Sequence, residues 1–434
     1  MIVYISVLLY WMFTWLILKN IFSFKKEREF LFLIIAASSL IIIMSLRDIS
    51  VGIDLKNYFY EFQNSLYFWN NKIRGHEIGY TLINLLFKQL NLSFQAFLTF
   101  VSIFIVSTIA LIYRLYSKNI FLSFYLYVSI GLFQMSMSGL RQMIAICITI
   151  IAFVLLLRKK RILFILLIIL ATYFHMSAIV FLPVLLFEKF KLTRKKAIIL
   201  YFSLLTISLL IVSSDFFIDL FYNLILSTPY SLYISPTASQ TDIKVAVENL
   251  MIPFFSLVYW PKAKNYHSQN YSDSFSIFFL FSCVSFSLTI LAHRINLIER
   301  IGFYFIFYNT LLIPNTLENI RDAKTKKLLI IIIILLAFVQ LLMTFPDSFA
   351  NIVPYKLTDF SYWNFKWFIK KFFEVKSSKV LLRITFIAFG SLNLPYFSLL
   401  VVLVKNLFIF TILERSFLKK ILKTNITVDW WISC

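Results

Sequence analysis

Apolar runs of about the length a helix needs to cross a bilayer, roughly 17 to 25 residues, follow one another along most of this chain. They cover residues 2–18, 30–46, 93–115, 120–137, 142–157, 197–213, 245–260, 275–292, 298–314 and 328–345. In lipid every backbone N–H and C=O must be satisfied within the protein, so only helices and closed barrels can span. A barrel needs apolar and polar residues to alternate along each strand; these runs are continuous instead. With Gly 7 and Pro 9 in 434 residues, little interrupts a long helix. The expected fold is all-α, a polytopic transmembrane bundle of about 11–12 spans. That count includes a less regular apolar stretch at 381–413, broken by Gly390 and Pro395, which is either one span or a hairpin.

The polar composition excludes other classes. Charged residues are 14% of the chain and hydrophobic ones 60%, with a mean hydropathy of +0.85; a soluble chain carries about a quarter charged residues. The net charge of +22 does not mark a nucleic-acid binder, because the lysines and arginines sit in short clusters between apolar runs. Such clusters hold loops on the cytoplasmic side. Cys147, Cys283 and Cys434 are scattered, so no disulfide framework follows, and the first two read as buried packing residues. The histidines show no metal-ligand spacing, and no metal or other cofactor is expected. The first run lacks a basic leader and a small-residue cleavage site, so it reads as a retained span.

The basic clusters set an orientation. Residues 19–28 (KNIFSFKKER) fall inside, which puts the N-terminus outside, and Arg114 to Lys118 and Arg158 to Arg161 then fall inside as well. The run 162–187 breaks the pattern, since basic clusters flank it on both sides. A kinked single crossing would invert every later loop. A re-entrant pair of half-helices that enters and leaves on the cytoplasmic side restores the parity. Thr172, Tyr173, His175 and Ser177 interrupt its centre and Pro183 follows; irregular backbone at that depth is tolerated where protein or a wet cavity surrounds it. Residues 78–90 are apolar but reach only about 20 Å as a helix, which suits a half-helix or an interfacial helix on the outer face.

In so apolar a chain the ionisable residues at helix ends carry the information. Arg47 closes the second run and opens RDISVGID, with Asp54 close behind and Gly52 permitting a tight turn. Glu77 precedes Gly79 and Tyr80. Arg141 and Gln142 start a run after SMSG, and Arg294 and Arg300 flank another start on the same side. Four arginines where positive charge is disfavoured make a possible ring, and the planar guanidinium suits phosphate oxygens. Each arginine has a plainer reading as a snorkelling anchor, and Asp54 and Glu77 a plainer one as ion-pair partners. His175 is either a structural hydrogen-bonding group or a general base.

These landmarks, in order, resemble the EpsG family of bacterial polysaccharide polymerases, which are similar in role to the Wzy polymerases of O-antigen and capsule. The matching residues are Arg47 with Gly52, Asp54 and Tyr58; Glu77-Ile78-Gly79-Tyr80; Arg141-Gln142 with Ile144-Ala145; Phe174-His175-Met176-Ser177-Ala178; and Pro354-Tyr355. Ile78 stands where the family often has proline. The resemblance covers residues 1–357 as a polymerase core and leaves 358–434, with the amphipathic WNFKWFIKKFF, as an extension of no assigned role.

The resemblance implies an enzyme in the bacterial inner membrane, active outward, that joins oligosaccharide repeat units carried on undecaprenyl pyrophosphate. It implies Arg47, Arg141, Arg294 and Arg300 as pyrophosphate ligands and one of His175, Asp54 or Glu77 as the base, without metal, while Gly52, Tyr58, Tyr80 and Gln142 shape the site. The partners implied are the lipid-linked glycans, inner-membrane lipid, a chain-length regulator and a repeat-unit flippase. Competing readings are a transporter or flippase of the same lipid-linked glycans, a glycosyltransferase adding one sugar from a polyprenyl phosphate, and an acyltransferase. Many transporters show an internal repeat; none is evident here.

Overall fold

The computed structural model describes residues 1–71, 77–188, 190–226, 243–261, 269–295, 297–344 and 351–358. Among them the chain is helical, and one antiparallel bridge joins Arg47 to Leu357. The 381–413 stretch and the amphipathic segment before it lie outside the described residues.

The antiparallel helices α1 (Ile2–Ile21) and α2 (Lys25–Ser45) come first, followed by three short helices, α3 (Leu55–Gln63), α4 (Ser65–Asn71) and α5 (Ile78–Gln89), and then the long α6 (Phe94–Tyr116). Next are α7 (Ile120–Ser129) and α8 (Leu132–Ser138), bent by 60° at their junction, and α9 (Leu140–Leu157). The helix α10 (Arg161–Phe174) leads into a 3-10 segment (Met176–Phe187). The rest are α11 (Arg194–Ser213), α12 (Asp215–Leu226), α13 (Ile243–Val258), α14 (Gln269–Ala292), α15 (Leu297–Ile306), α16 (Asn309–Glu318) and α17 (Ala323–Thr344). Side chains start several of them: Ser93, Asn119 and Thr193 each accept a hydrogen bond from a backbone N–H of the first turn, satisfying donors the helix cannot.

Among the described residues, 7 helices are long and apolar enough to cross a membrane, or up to 8 if the bent α7–α8 pair counts as one span. The chain is a multi-pass membrane protein. Fewer of the apolar runs form single long helices than their lengths suggest, because some crossings are broken or short. The α15–α16 pair is one of these. Arg300 at its start accepts a hydrogen bond from Gln142 at the start of α9, while Asn315 near its end bonds Lys118 and Tyr116 at the end of α6. Since α6 and α9 are themselves spans, those contacts lie at opposite ends of the bundle. Ser256–Thr316 and Asn249–Thr289 bonds place the shorter α13 alongside in the same way. Such interhelical bonds contribute about 0.6 kcal/mol each on average.

The excursion through α10 and the 3-10 segment returns to the side it came from. Arg161, the first residue of α10, bonds Glu188, just past the end of the 3-10 segment, with Nε to Oε2 at 2.5 Å. The two limbs also pack on one another. The 14 residues of α10 rise about 21 Å, short of a hydrocarbon core of about 30 Å. His175 is extended, at φ −161° and ψ 117°, and breaks the helical ladder there. Pro183 lacks the N–H an α-helix interior requires, and the descending limb takes the tighter winding. Its buried residues Ala178, Phe181 and Val184 recur every third position, as three residues per turn demand. Phe181 stacks on Phe305 and Tyr308 at 5.6 and 6.3 Å, holding the limb against α15 and α16.

At the end of the bundle where α2 finishes, residues 351–358 return as a strap. Gly52 donates to Asn351, Asp48 to Lys356 and Thr358 to Leu46 through backbone N–H groups. Tyr4 and Tyr355 donate their hydroxyls to Ile352 and Ile43 carbonyls, each at 3.0 Å.

Cysteines replacing Arg161 and Glu188 one at a time should both react with a membrane-impermeant maleimide from one side of sealed vesicles. Labelling from opposite sides would make the segment a full crossing.

Candidate functional site

Glu77 stands just before α5, extended, with a glycine two residues on. That glycine decides what Glu77 can reach. A Cβ on Gly79 would lie 2.9 Å from the Tyr173 carbonyl oxygen and 3.2 Å from the Phe174 ring, so only a bare Cα lets the start of α5 press against the top of α10. The contact brings Glu77 to the turn of the re-entrant pair, where its Oε1 lies 3.0 Å from His175 Nδ1. Its other oxygen, Oε2, lies 2.5 Å from Arg141 Nη1. One carboxylate thus joins α5, α9 and the re-entrant turn.

Burial acts to raise the Glu77 carboxyl, but the hydrogen bond with His175 and the Arg141 charge prevail and hold it below the ordinary carboxylate range. An ionised carboxylate only accepts, so His175 Nδ1 donates, and a neutral ring then keeps its lone pair on Nε2. Neighbouring rings close around Arg141: its guanidinium lies 5.4 Å from the Tyr58 ring centroid and 6.0 Å from that of Tyr80, and the two rings are 5.3 Å apart. Cation–π contacts of this kind are worth about 0.5–2 kcal/mol.

Glu61 also faces this arginine, with Oε1 at 3.8 Å from Arg141 Nη1. Burial raises its carboxyl, with Arg141 opposing and Glu77 and Asp54 adding to the rise. Burial likewise raises Asp54, against the pull of Arg141 and Arg300, which places both arginines within its field. Gln142 binds the Arg300 carbonyl at 2.6 Å and so fixes the start of α15 beside the start of α9. Ser177 and Tyr304 hydroxyls meet at 3.1 Å and tie the re-entrant turn to α15.

The structure therefore gathers Asp54, Tyr58, Glu77, Tyr80, Arg141, Gln142, His175 and Arg300, and adds Glu61, which the sequence reading missed. The signal for Glu61 lies in its spacing: Asp54, Tyr58 and Glu61, at intervals of four and three, share one face of α3. The other two arginines sit differently from the ring expected of them. Arg47 is 0% exposed. Its guanidinium turns inward, donating to the Met44 carbonyl and, at 2.8 Å, to that of Met137. Gly52, at φ +117°, keeps the loop above it flat, since a Cβ there would meet the Met137 carbonyl oxygen at 2.9 Å. Arg294 is taken up by Asp215 at 2.8 Å and the Val212 carbonyl at the α11–α12 corner.

Chemically, the cluster offers a carboxylate-oriented imidazole beside guanidinium charge, an arrangement able to take a proton from a hydroxyl and to hold an anion. The EpsG family model matches residues 30–357, a range that contains every residue of this cluster. No curated protein matches the chain. No solved structure matches it either.

Gly79→Ala should destabilise the fold by about 1–3 kcal/mol, the usual cost of overpacking, read as a lower melting temperature in detergent, while Ile78→Ala should cost less. Equal melting temperatures would mean that α5 can move off α10 freely. The Glu77 cross-link contributes stability that is complete above the ordinary glutamate value of 4.5 and is lost as pH falls through its lowered folded value. Glu77→Gln should flatten that acidic part of the stability profile.

Proposed function

The chain belongs to the EpsG family, and from that premise we propose that it is a polysaccharide polymerase joining oligosaccharide repeat units carried on undecaprenyl pyrophosphate. The observation that carries the reading is Glu77, bridging His175 at 3.0 Å and Arg141 at 2.5 Å. Glycosyl transfer from such a donor needs a base for the attacking hydroxyl and positive charge for the departing diphosphate, and this cluster supplies both.

In the proposed reaction an acceptor sugar hydroxyl attacks the anomeric carbon of the donor glycan. A new C–O glycosidic bond forms as the C–O bond to the diphosphate breaks. His175 Nε2 takes the hydroxyl proton; Glu77 holds the ring by Nδ1–H and stabilises the imidazolium that results. Arg141 and Arg300 meet the charge that develops on the leaving diphosphate. Asp54 and Glu61, with carboxyls raised by burial, line the approach and hydrogen-bond sugar hydroxyls. Arg47, closed beneath the loop by the Met44 and Met137 carbonyls, supports the floor of the site. The positive-inside pattern of the loops supports an outward-facing site in the inner membrane; in this reading a flippase delivers repeat units there and a chain-length regulator acts on the product.

The test is glycan ladder formation in a polymerase-null strain complemented with the gene. Wild type should restore a ladder of repeats. His175→Ala should reduce it by about 100-fold or more, the usual contribution of a general base. Arg141→Ala should leave single repeats, with both proteins present in membranes at wild-type level. No ladder from wild type, with restoration instead of the outward delivery of repeat units in a flippase-null strain, would identify a transporter.

A further inference from the structure

The helix α5 buries one face, through Tyr80, Thr81, Asn84 and Phe87, and leaves the other bare. Ile78, Leu82, Leu86 and Leu90, four residues apart, are 52, 46, 51 and 52% exposed. Each such side chain is worth about 1.5–3 kcal/mol when removed from water, so a straight stripe of four needs an apolar cover. The neighbouring helix α10 exposes Leu170 and Tyr173 in the same way. Gly79 backs directly onto the Tyr173 backbone, so Ile78 and Tyr173 stand on neighbouring stretches of the two helices where they touch. That meeting point is also the ionic cluster: Ile78 follows Glu77, and Tyr173 stands two residues before His175.

A polyprenyl diphosphate has this same layout, an anionic head joined directly to a long apolar tail. With the head against the Arg141 guanidinium, the tail leaves the site beside Ile78 and Tyr173. We propose that the α5 stripe and the adjoining face of α10 are the docking surface for the isoprenoid tail of the lipid-linked donor. The proposal rests on the lipid-linked substrate of the reading above and not on turnover. It gives α5 a task its shortness otherwise hides: lying at the edge of the bilayer, it supports the tail while its N-terminus holds the carboxylate of the site.

The photoreactive residue benzoylphenylalanine, placed at Leu82 and, as a control, at the equally exposed Leu209 of α11, tests this in nanodiscs of phosphatidylglycerol containing undecaprenyl diphosphate. The polyprenyl adduct at position 82 should exceed that at 209 by about tenfold, a preference of roughly 1.4 kcal/mol, and Arg141→Ala should abolish the excess. Equal adducts at the two positions would make α5 an ordinary lipid-facing surface, and adducts between two copies of the chain would make it an oligomer interface; either overturns the proposal. In turnover assays, Leu82→Gln with Leu86→Gln should raise KM for the lipid-linked unit several-fold and leave kcat near wild type. A fall in kcat alone would count against docking. Position-82 adducts without any glycan ladder would sink the polymerase and keep the docking surface; a ladder without the adduct preference would do the reverse.

Discussion

The arrangement of this end of the bundle depends on one carboxylate. Glu77 lies between a guanidinium from α9 and an imidazole at the re-entrant turn, and it sits at the head of a short helix that packs on α10. Without it, Arg141 and His175 would each keep a largely buried polar group with one partner fewer. Breaking such a pair costs more than making it gains, since the remaining charge stays desolvated. The same ion pair fixes α5 against α10, orients the imidazole, and aims Arg141 past the faces of Tyr58 and Tyr80. Geometry and chemistry share one interaction here.

That interaction is possible only because the chain solves a backbone problem. A polar, non-helical turn inside a bilayer exposes N–H and C=O groups that lipid cannot satisfy. His175 N–H still bonds the Ala171 carbonyl, and Ala178 N–H bonds that of His175, so the turn wastes few donors. Gly79 and the aromatic stack around Phe181 then enclose it in protein. The two limbs wind differently because their sequences do: α10 contains neither proline nor glycine, whereas Pro183 divides the descending limb.

Much of this was legible in the sequence, for physical reasons that can be named. Hydropathy locates the spans because lipid contact leaves few alternatives to apolar side chains. The two basic clusters around 162–187 betray the re-entrant pair, since charge is costly to translocate; the Arg161–Glu188 contact is the structural form of that argument. Side-chain direction is what sequence hides. Arg47 and Arg141 look alike as arginines at helix ends, yet one turns into the carbonyls of Met44 and Met137 and the other toward two carboxylates. Glu61 is hard to single out because 55–63 is short, and its helical spacing from Asp54 and Tyr58 competes with the stronger apolar runs around it. Arg294 finds Asp215, a partner from a segment whose fold the apolar pattern does not announce.

The strap at 351–358 has a consequence for the order of events in synthesis. Tyr4 and Ile352 are 348 positions apart in the chain, and Tyr355 reaches Ile43 across 312. The lid over Arg47 therefore cannot close until the last described crossing has left the ribosome. Through almost the whole of translation, the end of α2 waits with its loop amides unsealed, open to water or to the insertion machinery. A chain truncated before residue 351 would carry every helix of the cluster and still lack this closure, so the two N-terminal helices register whether synthesis has passed the strap.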